Sequence, residues 1–254
     1  MARTAHAKEQ RPAALPPREQ TVGQLVAETL RLYGSRFLVA LPLGLTVAAA
    51  DQIALDRSIA GRILVLVAAS PFFTLAFVTA CALAFRRRPR AAVWLSAFGA
   101  GTVAFLPAAL FFPWFALVSV LWLALVGHVV PAIVKEGIGP VRAFPRAVEL
   151  ARADYVHAAG GLATLVLVFG LTRIALGGLL RSQADNTIRV SVFLADVVIA
   201  PILFLGAALL YVNLAARVGS RPRRRRDRGA ALPDVDDAHR EGRPDAELEP
   251  GAPA

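Results

Sequence analysis

Apolar residues in this chain come in long, nearly unbroken runs, not in the short alternating or three-to-four patterns of a half-buried element. From Phe37 onward the runs are each about 20 residues long, the length a helix needs to cross a bilayer core of about 30 Å. They predict six spans, at about 37–55, 63–85, 91–112, 114–134, 156–180 and 190–214. The third and fourth share one run from Ala91 to Val134, too long for a single crossing. The stretch "FFPWF" (Phe111 to Phe115) supplies the fold-back: Pro113 breaks a helix, and Trp114 suits the aromatic belt at the bilayer surface.

Two segments break this pattern with helical periodicity instead. Over 21–36, Thr21 can cap a helix in which Val22, Leu25, Val26, Leu30 and Tyr33 share a face, with Gln24, Glu28 and Arg31 opposite. Such a helix either lies in the membrane interface or packs on the ends of the spans. The second segment is "KEGIGPVRAFPRAVELARADY" (Lys135 to Tyr155). Its two glycines and Pro140 turn the chain, and Pro140 fits the first turn of a helix, where its missing N–H costs nothing. Val141, Phe144, Val148, Leu150 and Ala151 then face lipid or the spans, while Arg142, Arg146, Glu149 and Arg152 reach water. The expected fold is therefore all-α: a polytopic membrane helix bundle of about six transmembrane helices with two interfacial amphipathic helices. Polar tails are expected at 1–20 and 217–254, both disordered.

Composition agrees. Charged residues are 18% of the 254, against about 25% in soluble domains. The basic residues are almost all arginine, which suggests a bacterial source. Their placement gives an orientation. Arg18, Arg31, Arg36, Arg86, Arg87, Arg88, Arg90, Lys135, Arg142, Arg146, Arg152 and the arginines from Arg217 to Arg228 all fall on one side of a six-span map. The other side has only Arg57, Arg62, Arg181 and Arg189. By the positive-inside bias, both termini are cytoplasmic and the protein is a multi-pass protein of the cell inner membrane. The 1–20 segment has no apolar core of a secretory signal. The lone Cys81 lies in an apolar run, which excludes a disulfide within the chain.

At this level the chain carries a resemblance. "TVGQLVAETLRLYGSRF", "VPAIVKEGIGPVRAFPRAVELARADYVHAAG" and "LLYVNLAARV" resemble segments of the glycerophosphoryl diester phosphodiesterase membrane-domain family, over most of residues 21 to 218. The resemblance implies about six spans. It brings no chemistry with it, because the catalytic half of such proteins is a separate barrel. "AHREG" (Ala238 to Gly242) is a near match to the His-Arg-Gly signature of that half, but within this sequence no barrel can be arrayed around it. No catalytic constellation, cofactor or metal site is expected. "GAGTVA" (Gly99 to Ala104) has the glycine spacing of a nucleotide loop but lies inside a span, where it reads as helix packing. Ala97, Gly101, Gly160, Thr164, Gly170, Gly177 and Gly178 are likewise expected to let helices approach closely. His128 and His157 read as interfacial hydrogen-bonders.

The candidate functional residues are charges inside the spans. Arg173 and Asp196 fall at similar distances from the same outer loop, and Asp51 near the end of the first span can join them. Charges there are costly to insert, so they form either a structural ion pair or a polar path for a small solute. Arg86, Arg87, Arg88, Arg223, Arg224, Arg225 and Arg226 are candidates for binding anionic lipid headgroups. The tail is a candidate site for a protein partner. Nucleic acid is not expected, since no aromatic residues interleave the arginines. The function expected is that of a non-enzymatic scaffold or accessory factor in envelope or lipid processes; the alternative is a transporter or channel using Arg173 and Asp196.

Overall fold

A computed structural model describes residues 20–180 and 182–219; Arg223 to Arg226 and the rest of both tails lie outside the described residues. Among the described residues there are nine α-helices and no strand: α1 (Val22–Ser35), α2 (Phe37–Ala54), α3 (Ile59–Phe85), α4 (Ala91–Phe111), α5 (Ala116–Val126), α6 (Val129–Glu136), α7 (Pro140–Ala153), α8 (Tyr155–Leu179) and α9 (Asp185–Gly219). Six helical segments are long and apolar enough to cross a membrane: α2, α3, α4, α5 continued by α6, α8 and α9. The chain is an all-α membrane helix bundle.

Three boundaries differ from expectation, each for a local reason. Helix α3 starts ahead of Ile63 because the Ser58 hydroxyl accepts a hydrogen bond from the Gly61 N–H at 3.3 Å and caps it. The fourth span is broken at Gly127 and His128, where Pro131 has no N–H to give the Gly127 carbonyl. Helix α9 has 35 residues, about 52 Å at the α-helical rise, and so outreaches the apolar stretch 190–214 at both ends. Arg217, expected at the start of the tail, is in its last turn.

The α4–α5 hairpin forms at 112–115 as expected and is tied by two side chains. The Ser119 hydroxyl donates to the Ala108 carbonyl and the Trp122 indole to that of Ala104, both at 2.9 Å. The main core joins Phe77, Val78, Ala80 and Cys81 of α3 with Ala97 and Ala104 of α4, Val129 to Val134 of α6, and Phe204, Leu205, Ala208 and Tyr211 of α9. Helix α8 is peripheral: of its most apolar eighteen residues only 6% are buried.

Both amphipathic helices pack on the bundle, and their buried faces combine expected residues (Leu25, Tyr33, Leu150 and Ala151) with smaller ones. In α1 the buried residues are Leu25, Thr29 and Tyr33, while Leu30 is exposed. Thr29 tolerates burial because its hydroxyl donates to the Leu25 carbonyl at 2.7 Å. Thr21 caps α1 as the sequence suggested, in a reciprocal box with Gln24. In α7 the buried residues are Ala143, Ala147, Leu150 and Ala151, while Val141 points outward. Gly137, at φ +70°, ends α6 and allows the reversal into α7.

The close helix contacts fall mainly on glycines other than those expected. Gly44, Gly101, Gly161 and Gly206 sit so near a neighbouring helix that a Cβ would collide with it, whereas Gly160, Gly170, Gly177 and Gly178 have open space. Of the expected set, Gly101 meets Thr74 and Val130, and Ala97 is fully buried.

Candidate functional site: charge clusters at the two ends of the bundle

Side-chain contacts gather the charged loops at one end. An Arg36 guanidinium N–H donates to the Leu83 carbonyl and one of Arg87 to the Lys135 carbonyl, each at 3.4 Å. Arg217, in the last turn of α9, pairs with Asp154 at the α7–α8 junction at 2.8 Å. This end therefore holds α1, the 86–90 loop, α7 and the C-terminal turns of α9. Its carboxylates are engaged. Glu136 and Glu149 pair with Arg146 at 3.4 and 2.9 Å, and Glu28 accepts from the Gln20 amide. Burial works against the Arg146 cation, but its hydrogen bond to Glu149 and the Glu136 charge outweigh that, holding its pKa above the usual arginine range. Arg86, Arg88, Arg90, Arg142 and Arg152 are exposed and make no ion pair among the described residues. The result is an uncompensated basic rim. Arg86 adopts the left-handed conformation at the end of α3, φ 51°, and starts the loop that presents Arg87 and Arg88.

Beneath the rim is a polar cluster that sequence reasoning missed. The Tyr211 hydroxyl donates to Glu136 at 2.5 Å. The Lys135 ammonium lies 5.6 Å from the Phe85 ring centre and 5.8 Å from that of Tyr211, a cation–π arrangement. The Asn213 amide donates to the Gln20 side chain at 3.3 Å and accepts from Arg217 at 2.8 Å. Asn213, a lone amide in an apolar run, was the available signal, since a buried amide needs partners. Of the two histidines expected as interfacial hydrogen-bonders, His157 shares a side-chain hydrogen bond with Asn213, while the Nε2 atoms of both His128 and His157 are buried without a hydrogen-bond partner among the described residues. His128 instead packs its ring 6.2 Å from that of Tyr211. Tyr33 joins α1 to α9 by donating to the Val198 carbonyl at 2.6 Å, and burial raises its phenol pKa.

The opposite end brings Asp51, Arg173 and Asp196 together, from α2, α8 and α9. The Arg173 Nη2 donates to Asp51 Oδ2 at 2.5 Å, and its Nε lies 3.3 Å from Asp196 Oδ1. Its guanidinium carbon is 5.7 Å from the Phe169 ring centre. Asp51 and Arg173 are partly exposed; Asp196 is wholly buried, and neither of its oxygens accepts a hydrogen bond among the described residues. Nearby, Arg189 pairs with Asp56 at 2.6 Å, and the Gln52 amide donates to the Arg189 carbonyl at 3.2 Å. Among the described residues no group of three or more His, Cys, Asp or Glu side chains is placed to hold a metal ion.

Neither a family model nor a curated protein nor a solved structure matches this chain, so its functional reading rests on its own residues.

Proposed function

We propose that this is a non-enzymatic membrane protein, a scaffold or accessory factor in envelope or lipid processes, related to the free-standing phosphodiesterase membrane domains it resembles. It sits in the inner membrane of a bacterium with the basic end and both termini cytoplasmic. One observation carries this reading: of the exposed arginines that make no ion pair among the described residues, Arg86, Arg88, Arg90, Arg142 and Arg152 collect at one end, against Arg57 and Arg62 at the other. An anionic leaflet attracts such residues at about 1 kcal/mol each near the surface. The tail arginines Arg223 to Arg226 would add to the attraction and leave the segment beyond them for a protein partner.

The test is thermal unfolding of the full chain in nanodiscs with a rising share of anionic lipid. Anionic lipid should raise Tm, and the triple variant Arg86→Gln/Arg87→Gln/Arg88→Gln should gain much less at the same share of anionic lipid. An equal response of both proteins would sink the lipid-docking reading. A second reading, passage of a small solute, is favoured by one feature: Asp196, a buried carboxylate without hydrogen bonds.

A further inference from the structure

The charges around Arg173 do not cancel. Asp51 and Asp196 share one guanidinium, which leaves one negative charge over. Arg173 gives its aligned hydrogen bond to Asp51; its Nε lies 3.3 Å from Asp196 Oδ1, but no hydrogen bond forms there. Asp196 is thus a fully buried carboxylate with two unbonded oxygens, a state that is strongly disfavoured without a compensating charge. Among the described residues, no basic side chain other than Arg173 makes an ion pair with Asp51 or Asp196. On α9 itself, Arg189 is paired with Asp56 of the α2–α3 turn. Arg62 of α3 is exposed and turned back onto the Arg57 carbonyl. On α8, Phe169 stacks near the guanidinium. Asp51 and Arg173 form the partly exposed edge of the cluster.

We propose that this cluster binds one monovalent cation at the Asp196 carboxylate, either a proton or an alkali-metal ion. Both bring the same chemistry: a single positive charge on a carboxylate that accepts no hydrogen bond among the described residues, making two anions and two cations. The proposal deepens the solute-passage reading by naming its ligand class, but binding does not require passage. An absence of flux through reconstituted vesicles would therefore end that reading and leave the site standing.

The experiment is infrared difference spectroscopy on the full chain in nanodiscs. One arm steps pH in choline chloride; the other replaces choline with sodium at fixed pH and ionic strength. In the wild type, a protonated-carboxyl band in the first arm identifies the proton, and a carboxylate shift specific to sodium in the second identifies the alkali ion. Asp196→Asn should abolish that signal. Asp51→Asn, a milder change at a partly exposed position, should do the same, because each leaves one carboxylate for one guanidinium. Arg173→Gln leaves two carboxylates and no guanidinium, and should double the signal. If the wild type and folded Asp196→Asn respond alike in both arms, or if Arg173→Gln takes up no more than the wild type, the proposal is overturned.

Discussion

Tyr211 shows how much one side chain decides at the basic end. It is fully buried, yet its hydroxyl reaches Glu136, which also accepts from Arg146. A hydrogen bond to a charged partner contributes about 1.5–3 kcal/mol, more than a neutral one. Tyr211→Phe keeps the ring contacts with Phe85, His128 and Lys135 but removes that bond. It should lower unfolding stability by about 1.5–3 kcal/mol, read as a lower unfolding midpoint in detergent, with helical content unchanged. A smaller loss would mean that water replaces the phenol at Glu136. The sequence disclosed the residue type but not the role, since a tyrosine in a span reads equally well as a belt residue. The same holds for the Arg173 cluster. That three charges inside spans call for partners was legible from insertion cost. That Asp51 takes the aligned bond and Asp196 is left with none depends on side-chain geometry across three helices.

Between elements, α2 approaches α9 closely at Gly44. A Cβ on Gly44 would lie 2.2 Å from the Val197 carbonyl oxygen. That carbonyl has no helical partner, because its N–H donor would come from Pro201. A proline on one helix and a glycine on the other thus form one contact, with the freed carbonyl set against a bare Cα, where a weak C–H···O bond can form. The neighbouring Val198 carbonyl takes the Tyr33 hydroxyl. Gly44→Ala must push backbone atoms apart and should destabilise the protein by about 1–3 kcal/mol. Gly170→Ala, where nothing lies within 4 Å, should be neutral or stabilise by up to about 1 kcal/mol through helix propensity. Parallel unfolding curves check both, and equal effects would contradict the close approach. Small-residue spacing alone could not separate these two glycines: it marks where helices are able to approach, and only the packing says on which face a neighbour lies.

At the scale of the whole molecule, the asymmetry of charge defines an orientation. With Cys81 replaced by Ala, single cysteines at Arg57→Cys and Arg88→Cys report it through a membrane-impermeant thiol reagent. Arg57→Cys should label in intact spheroplasts and Arg88→Cys only after lysis, and the reverse pattern would refute a cytoplasmic basic end. The sequence by itself determined the all-α class, the six apolar segments, the hairpin at 112–115 and the separation of the basic loops. These follow from local run length, proline placement and charge, which a single strand of residues carries in full. Only the tertiary structure decided that α8 lies at the edge, that α1 and α7 are packed on the bundle through Leu25, Thr29, Ala143 and Ala147, and that Gln20, Asn213, Arg217 and Asp154 meet. In a membrane helix both the lipid-facing and the buried sides are apolar. Hydropathy therefore loses the periodicity that reveals a buried face in water, and neighbours are set by shape and by where a few polar groups find each other.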